Sequence, residues 1–138
     1  MKNNDYKKVS ESRVIQTHLI LVGDTNRHNT LYGGNLMRMM DNVSAISFTR
    51  HTRSLGITAS MDVLNFIKPL PVSHSVCIET MISGVGKKSA EVFAKVIGEN
   101  LTTGERYLDA MAFSLSPLWK RILNLSQLSR QKRMKIVM

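Results

Sequence analysis

Cysteine is nearly absent from this chain. Cys77 is the single one among 138 residues, so no internal disulfide can close, and a reducing, cytoplasmic setting is expected. Long hydrophobic runs are missing too. No apolar stretch approaches the ~20 residues of a membrane-spanning helix, and no span is expected. Met1 to Ser12 are polar and mixed in charge, unlike a secretory leader and suited to a flexible terminus over 1–12. No segment repeats at the period of about 20–50 residues that marks solenoids and propellers, and none is of low complexity. Histidine is scarce and scattered. His18, His28, His51 and His74 share no metal-ligand spacing, and no Ser-His-Asp order is evident, so neither a metal site nor a serine-type triad is expected. His51 reads as a helix-end residue, and Cys77 as a small strand hydrophobe rather than a nucleophile.

Acidic residues are few. Ten of them stand against 19 basic ones, for a formal net charge of +9. The excess fits a phosphate-rich partner, either a nucleic acid or a phosphorylated cofactor, or else a plain solvated surface. Aromatic residues make up only 6% of the chain. They are not interleaved with the basic residues, and no helix-turn-helix pattern stands outside the core, so a nucleic-acid reading rests on charge alone. The segment 119–138 holds Lys120, Arg121, Arg130, Lys132, Arg133 and Lys135 and no acid. Trp119, Ile122, Leu123, Leu125 and Leu128 make it a weakly amphipathic basic tail or helix. It suits packing on a neighbouring subunit or solvation better than contact with lipid or nucleic acid.

What is present is a core. A hydrophobic fraction of 43% and a charged fraction of 21% suit one globular domain. Arg13 to Val22 is rich in β-branched residues and ends at Gly23-Asp24, which predicts a strand, buried toward its end. From about Gly34 to Thr52 the apolar residues Leu36, Met40, Val43 and Ile46 recur at helical spacing, and Met37, Ala45 and Phe48 extend them around the axis, which predicts a buried helix. After Ser54-Leu55-Gly56 the period falls to two. Strands are predicted from Ile57 to Phe66, around Val76 to Ile82, around Ala90 to Val96, and from Tyr107 to Leu115. Short turns at Gly84–Lys88 and Glu99–Glu105 let the later strands pair antiparallel. The predicted architecture is α+β, a five-stranded antiparallel sheet wrapped around one long helix.

The stretch from Asp24 to Asp41 organises this layout. It opens as a polar loop, passes through Gly33-Gly34, and becomes the helix. Two residues without a Cβ at a helix start allow a ligand close to the backbone. The free N–H groups of the first turn and the positive end of the macrodipole can hold a developing negative oxygen. Asp41 lies in the middle of the mainly apolar helix, where a carboxylate is costly unless it is paired or used. Gly34 and Asp41 are seven residues apart, roughly 10 Å along one helix. That separation places them poorly for work on one carbon, and a site shared between two chains avoids the problem.

These residues, together with Arg50-His51, Ile57-Thr58-Ala59-Ser60-Met61-Asp62, Asn65-Phe66 and Lys88-Ser89-Ala90-Glu91-Val92, resemble the hotdog-fold acyl-CoA thioesterases. The subgroup is that of the cytosolic brain-type acyl-CoA hydrolases and their small bacterial relatives, and the likeness runs from about Arg13 to Leu118. The resemblance implies a hotdog thioesterase domain over 13–118 and hydrolysis of fatty acyl-CoA to a free acid and CoA. No cofactor is implied, since CoA is part of the substrate and product. By the same resemblance Asp41 is the catalytic carboxylate, and Asn26 of the partner subunit stands across the dimer from it. Backbone N–H groups near Gly33 and Gly34 hold the oxyanion. Asp41 is either general base toward water or nucleophile through an anhydride. Lys87, Lys88 and Ser89 suit the nucleotide end of CoA, the alternative being a solvated hairpin tip. Thr58, Ala59 and Ser60 line the pantetheine channel. Family members pair as dimers, and many assemble three dimers into a hexamer. One departure is Asn29, where the family usually has glycine; asparagine is the residue that best replaces glycine in a left-handed backbone. A non-catalytic acyl-CoA-binding regulator on the same fold is the alternative. A hydratase is disfavoured because no histidine lies in the helix interior.

Overall fold

The computed structural model describes residues 7–118, so the basic tail expected over 119–138 lies outside the described residues. A helical turn α1 (Val9–Ser12) leads into strand β1 (Val14–Leu19), helix α2 (Gly33–Thr52) and strands β2 (Ser60–Phe66), β3 (Ser75–Val85), β4 (Ser89–Glu99) and β5 (Arg106–Pro117). Every neighbouring pair is antiparallel, in the order β1-β3-β4-β5-β2, so β1 and β2 form the two edges. Tight turns account for the middle of this order. The Gly86 N–H donates to the Ser89 carbonyl at 2.8 Å to close β3–β4. At β4–β5, Gly104 takes a φ of 77°, a left-handed conformation that glycine adopts without steric cost.

Alternation decides which face of the sheet meets α2. Val76, Ile78, Thr80 and Ile82 of β3 are buried, as are Ala90, Val92, Ala94 and Val96 of β4, in the period-two pattern expected of them. In β5 the inward residues are small: Ala110, Ala112, Ser114 and Ser116. Met111 and Leu115 point outward instead. Small residues at these positions let the helix approach the strands closely. Two hydroxyls tie helix to sheet inside the core. Ser47 and Thr80 share a 2.6 Å hydrogen bond, and Thr80 Oγ1 also donates to the Val43 carbonyl at 3.2 Å. The buried Ser12 accepts from the Ile82 N–H at 3.0 Å and fastens α1 to β3.

Four expectations are corrected. The terminus expected to be flexible over 1–12 holds the α1 turn at Val9–Ser12, and its Ser12 is buried and bonded to β3. Helix α2 is not buried all round: Leu36, Met40, Val43, Ser44, Ser47 and Phe48 are buried, while Met37 is 42% exposed and Ala45 is open. A single sheet covers only one side of a helix. The first strand stops at Leu19, because the chain turns into a 3-10 segment at Val22–Asp24, and it is buried at Val14 and exposed from Thr17 to Leu19 rather than buried toward its end. Regular pairing of the second strand begins at Ser60 rather than Ile57. Ile57 and Ala59 still donate backbone bonds to Pro117 and Leu115, but without a continuous ladder.

Candidate active site

The loop before α2 is built around Asn26. Its Oδ1 accepts from the His28 N–H at 2.9 Å and from the Thr30 N–H at 3.3 Å, and its Nδ2 donates to Thr30 Oγ1 at 3.0 Å. This is the local bonding that makes asparagine a turn former. Asn29 takes φ 57°, so the residue standing where glycine is usual does adopt the left-handed backbone. The loop is fastened below by Leu31 N–H to the Leu70 carbonyl at 2.7 Å and Val72 N–H to the Asn29 carbonyl at 2.9 Å.

The helix then starts without a side-chain cap from Tyr32 and without an acid in its first turn. The N–H groups of that turn have no intrahelical acceptors and stay available to an anionic atom. Gly34 packs under Tyr32, where a Cβ would lie 2.6 Å from the ring. Gly33 faces Phe66 with ordinary clearance, so its missing side chain opens space rather than relieving a clash.

Asp41 is half-buried on α2, and Thr58 Oγ1 donates a short hydrogen bond to its Oδ1. Thr58 is thus joined to the helix carboxylate, a contact sequence spacing does not reveal because the two are 17 residues apart. No hydrogen bond among the described residues links Asn26 to Asp41 within the chain. Ala59 and Ser60 follow Thr58 at the sheet edge, where Ala59 donates to Leu115 at 2.8 Å.

At the far end of α2, Lys87, Lys88 and Ser89 line a recess of about 360 Å³ with Lys7, His51 and Ser54. Among the described residues no acid lines it. His51, read from sequence as a helix-end residue, lies there with a buried Nδ1 that has no partner among the described residues. Cys77 is on the outer face of the sheet, away from the helix, beside Glu79 and Lys95. No cluster of His, Cys, Asp and Glu able to hold a metal occurs among the described residues.

One residue of interest escaped the sequence reading. Asp109 is 2% exposed and lines a cavity of about 310 Å³ with Leu31, Gly33, Leu36, Phe66 and Lys68. It belongs to a bulge: Ile97 pairs with Leu108 and Val96 with Ala110, leaving Asp109 as the extra residue. Burial pushes its carboxyl up to about 6, against a lowering by the Lys68 backbone N–H. A lone acid in a strand of apolar residues was the available signal. Strict alternation set it in line with Met111 and Phe113, and a bulge breaks strict alternation.

The family model of the Thioesterase superfamily matches residues 28–105. The uncharacterized acyl-CoA thioester hydrolase YkhA of Bacillus subtilis is 46% identical over 113 residues, 82% of this chain and 66% of that protein. The chain thus spans just under two thirds of the length of this curated relative. The crystal structure of an apo-hexameric acyl-CoA thioesterase matches with TM-score 0.80 at 28% identity, covering 95% of this chain and 96% of that one. The acyl-CoA hydrolase of Staphylococcus aureus, in an asparagine-to-alanine variant with coenzyme A, matches with TM-score 0.78 at 28% identity over 81% of this chain and 67% of that one. A threonine-to-alanine variant of the same enzyme matches at TM-score 0.77. A family match over more than half of the residues, a 46% identical relative and the hotdog layout of sheet and helix together make this chain a member of the thioesterase superfamily.

Proposed function

We propose that this protein hydrolyses the thioester of a fatty acyl-CoA to the free acid and CoA. The observation that carries the reading is the Asp41 carboxylate, held by Thr58 at mid-helix between an uncapped glycine-lined helix start and a basic recess. A carboxylate whose one oxygen is fixed by a hydroxyl keeps the other free to take a proton from water or to attack. From Asp41 to His51 is ten residues of helix, roughly 15 Å. A CoA with its phosphates at Lys87, Lys88 and Ser89 can therefore extend its pantetheine arm past Thr58, Ala59 and Ser60 to Asp41 of the same chain.

The oxyanion then meets the N–H groups of Gly33 and Gly34 of a second chain, with Asn26 beside them. Two facts support a shared site. Asn26 makes no bond to Asp41 within one chain, and Gly34 is roughly 10 Å from Asp41 along the helix. The asparagine and threonine altered in the Staphylococcus aureus enzyme are also separated by the same number of residues as Asn26 and Thr58. The working form on this reading is a dimer, assembled further as three dimers, with no cofactor and no nucleic-acid partner, in the cytoplasm. The domain is 13–118, preceded by the α1 turn that Ser12 fastens to β3 and followed by a basic segment at 119–138.

The test is CoA release from acyl-CoAs of increasing length by the wild type and by Asp41→Ala. Turnover in the wild type and a loss of roughly 100-fold or more in a folded Asp41→Ala support the reading. Tight acyl-CoA binding with no CoA release moves it to a regulator.

A further inference from the structure

The cavity at the start of α2 is lined mainly by apolar residues, with the exposed Lys68 and one buried charged residue, Asp109, among them. Leu31, Leu36, Phe66, Pro69 and Leu70 supply the walls, and Gly33 opens them toward the helix N-terminus. Asp109 is 2% exposed, and its Oδ2 has no hydrogen-bond partner among the described residues. The backbone places it there on purpose of geometry: as the extra residue of the bulge, it turns inward next to Ala110, and its own carbonyl accepts from the Ile67 N–H at 2.6 Å. A buried acceptor left without a donor is costly, and bulges are over-represented beside active sites, where they re-aim a side chain.

We propose that this cavity receives the acyl group, and that Asp109 makes it selective for acyl groups bearing a hydroxyl near the thioester over unsubstituted ones of equal length. The inference rests on the thioesterase reading and deepens it. An unsubstituted chain that fills the cavity leaves the already buried Asp109 oxygen without a donor. A hydroxyacyl chain covers the same apolar wall and donates its O–H to that oxygen. Sites built around a buried hydrogen-bonding group discriminate against the analogue that lacks the matching group. Gly33 lines both this cavity and the proposed oxyanion position, so the hydroxyl belongs within a few carbons of the carbonyl. Asp109 is then a specificity-determining residue that takes no part in breaking the thioester.

The experiment compares kcat/KM for butyryl-CoA and 3-hydroxybutyryl-CoA, then for longer matched pairs, using wild type, Asp109→Leu and Asp109→Asn. Expected is a ratio of about tenfold in favour of the hydroxyacyl substrate. It reverses in Asp109→Leu and falls to an intermediate value in Asp109→Asn, whose amide oxygen is a weaker acceptor than a carboxylate. Should Asp109→Leu fail to fold, the near-isosteric Asp109→Asn decides alone. A wild-type ratio near one, or a ratio that neither variant alters, overturns the proposal while leaving the thioesterase reading intact. Absence of CoA release from every substrate overturns both.

Discussion

Replacing Asp109 by asparagine should make stability depend less on pH, by an amount the structure sets. The carboxyl is pushed up to about 6 from 3.8, first by burial, with only the Lys68 backbone N–H opposing. Below the unfolded value the acid is protonated in both states and folding carries no penalty. As pH rises toward 6, the unfolded chain gives up its proton while the folded one keeps it, so stability falls. Above about 6 both are ionised and the whole penalty is present. With 1.36 kcal/mol per pH unit, the two values imply about 3 kcal/mol as a ceiling. Asparagine keeps the shape and cannot ionise. Any packing cost of its amide is independent of pH, so it shifts the whole curve without changing its slope. The assay is urea unfolding of wild type and Asp109→Asn between about pH 4 and pH 8 at one protomer concentration, since assembly also stabilises. The variant should gain on the wild type by at most about 2.5 kcal/mol across this range, or up to roughly 10 °C in Tm for a chain of this size. The gain should level off above about pH 7. A difference that stays flat with pH would refute the argument, and with it the idea that burial of this carboxylate outweighs its bond to the Lys68 backbone.

Other residues test other parts of the structure. Thr58→Val keeps the shape and removes the donor to Asp41. A bond to a charged group is worth about 1.5–3 kcal/mol, so kcat should fall by roughly 10- to 100-fold with KM little changed. Lys87→Ala and Lys88→Ala should raise KM for acyl-CoA and flatten its dependence on salt while sparing kcat, because they remove charge from a recess that no acid among the described residues lines. Gly98→Ala drives a Cβ into the Tyr107 ring and Leu70; overpacking of this kind costs about 1–3 kcal/mol, readable as a lower urea midpoint without loss of the active-site residues.

Much of the layout was legible because it is written in periods. The change from 3.6 to 2 after Gly56 separates α2 from the strands, and alternation along β3 and β4 assigned their buried faces correctly. The glycine pair at the start of α2 was visible as an open helix start, whereas Asp41, read as a costly charge in a buried helix, is only half-buried and has Thr58 as its partner. Asn29 was legible as a left-handed position through the resemblance, which has glycine there, and asparagine tolerates that backbone.

Tertiary structure decided the rest, because it depends on residues that meet across long stretches of chain. The Thr58 hydroxyl reaches Asp41 only after β2 has crossed to the far side of β5. The helix keeps one open side because the described residues form a single sheet, which hydrophobic periodicity does not count. Asp109 turns inward because one extra residue between Leu108 and Ala110 breaks the alternation that sequence reading assumes. Periodicity reports which residues want to be buried; pairing register reports which ones are, and register is set by the neighbouring strand.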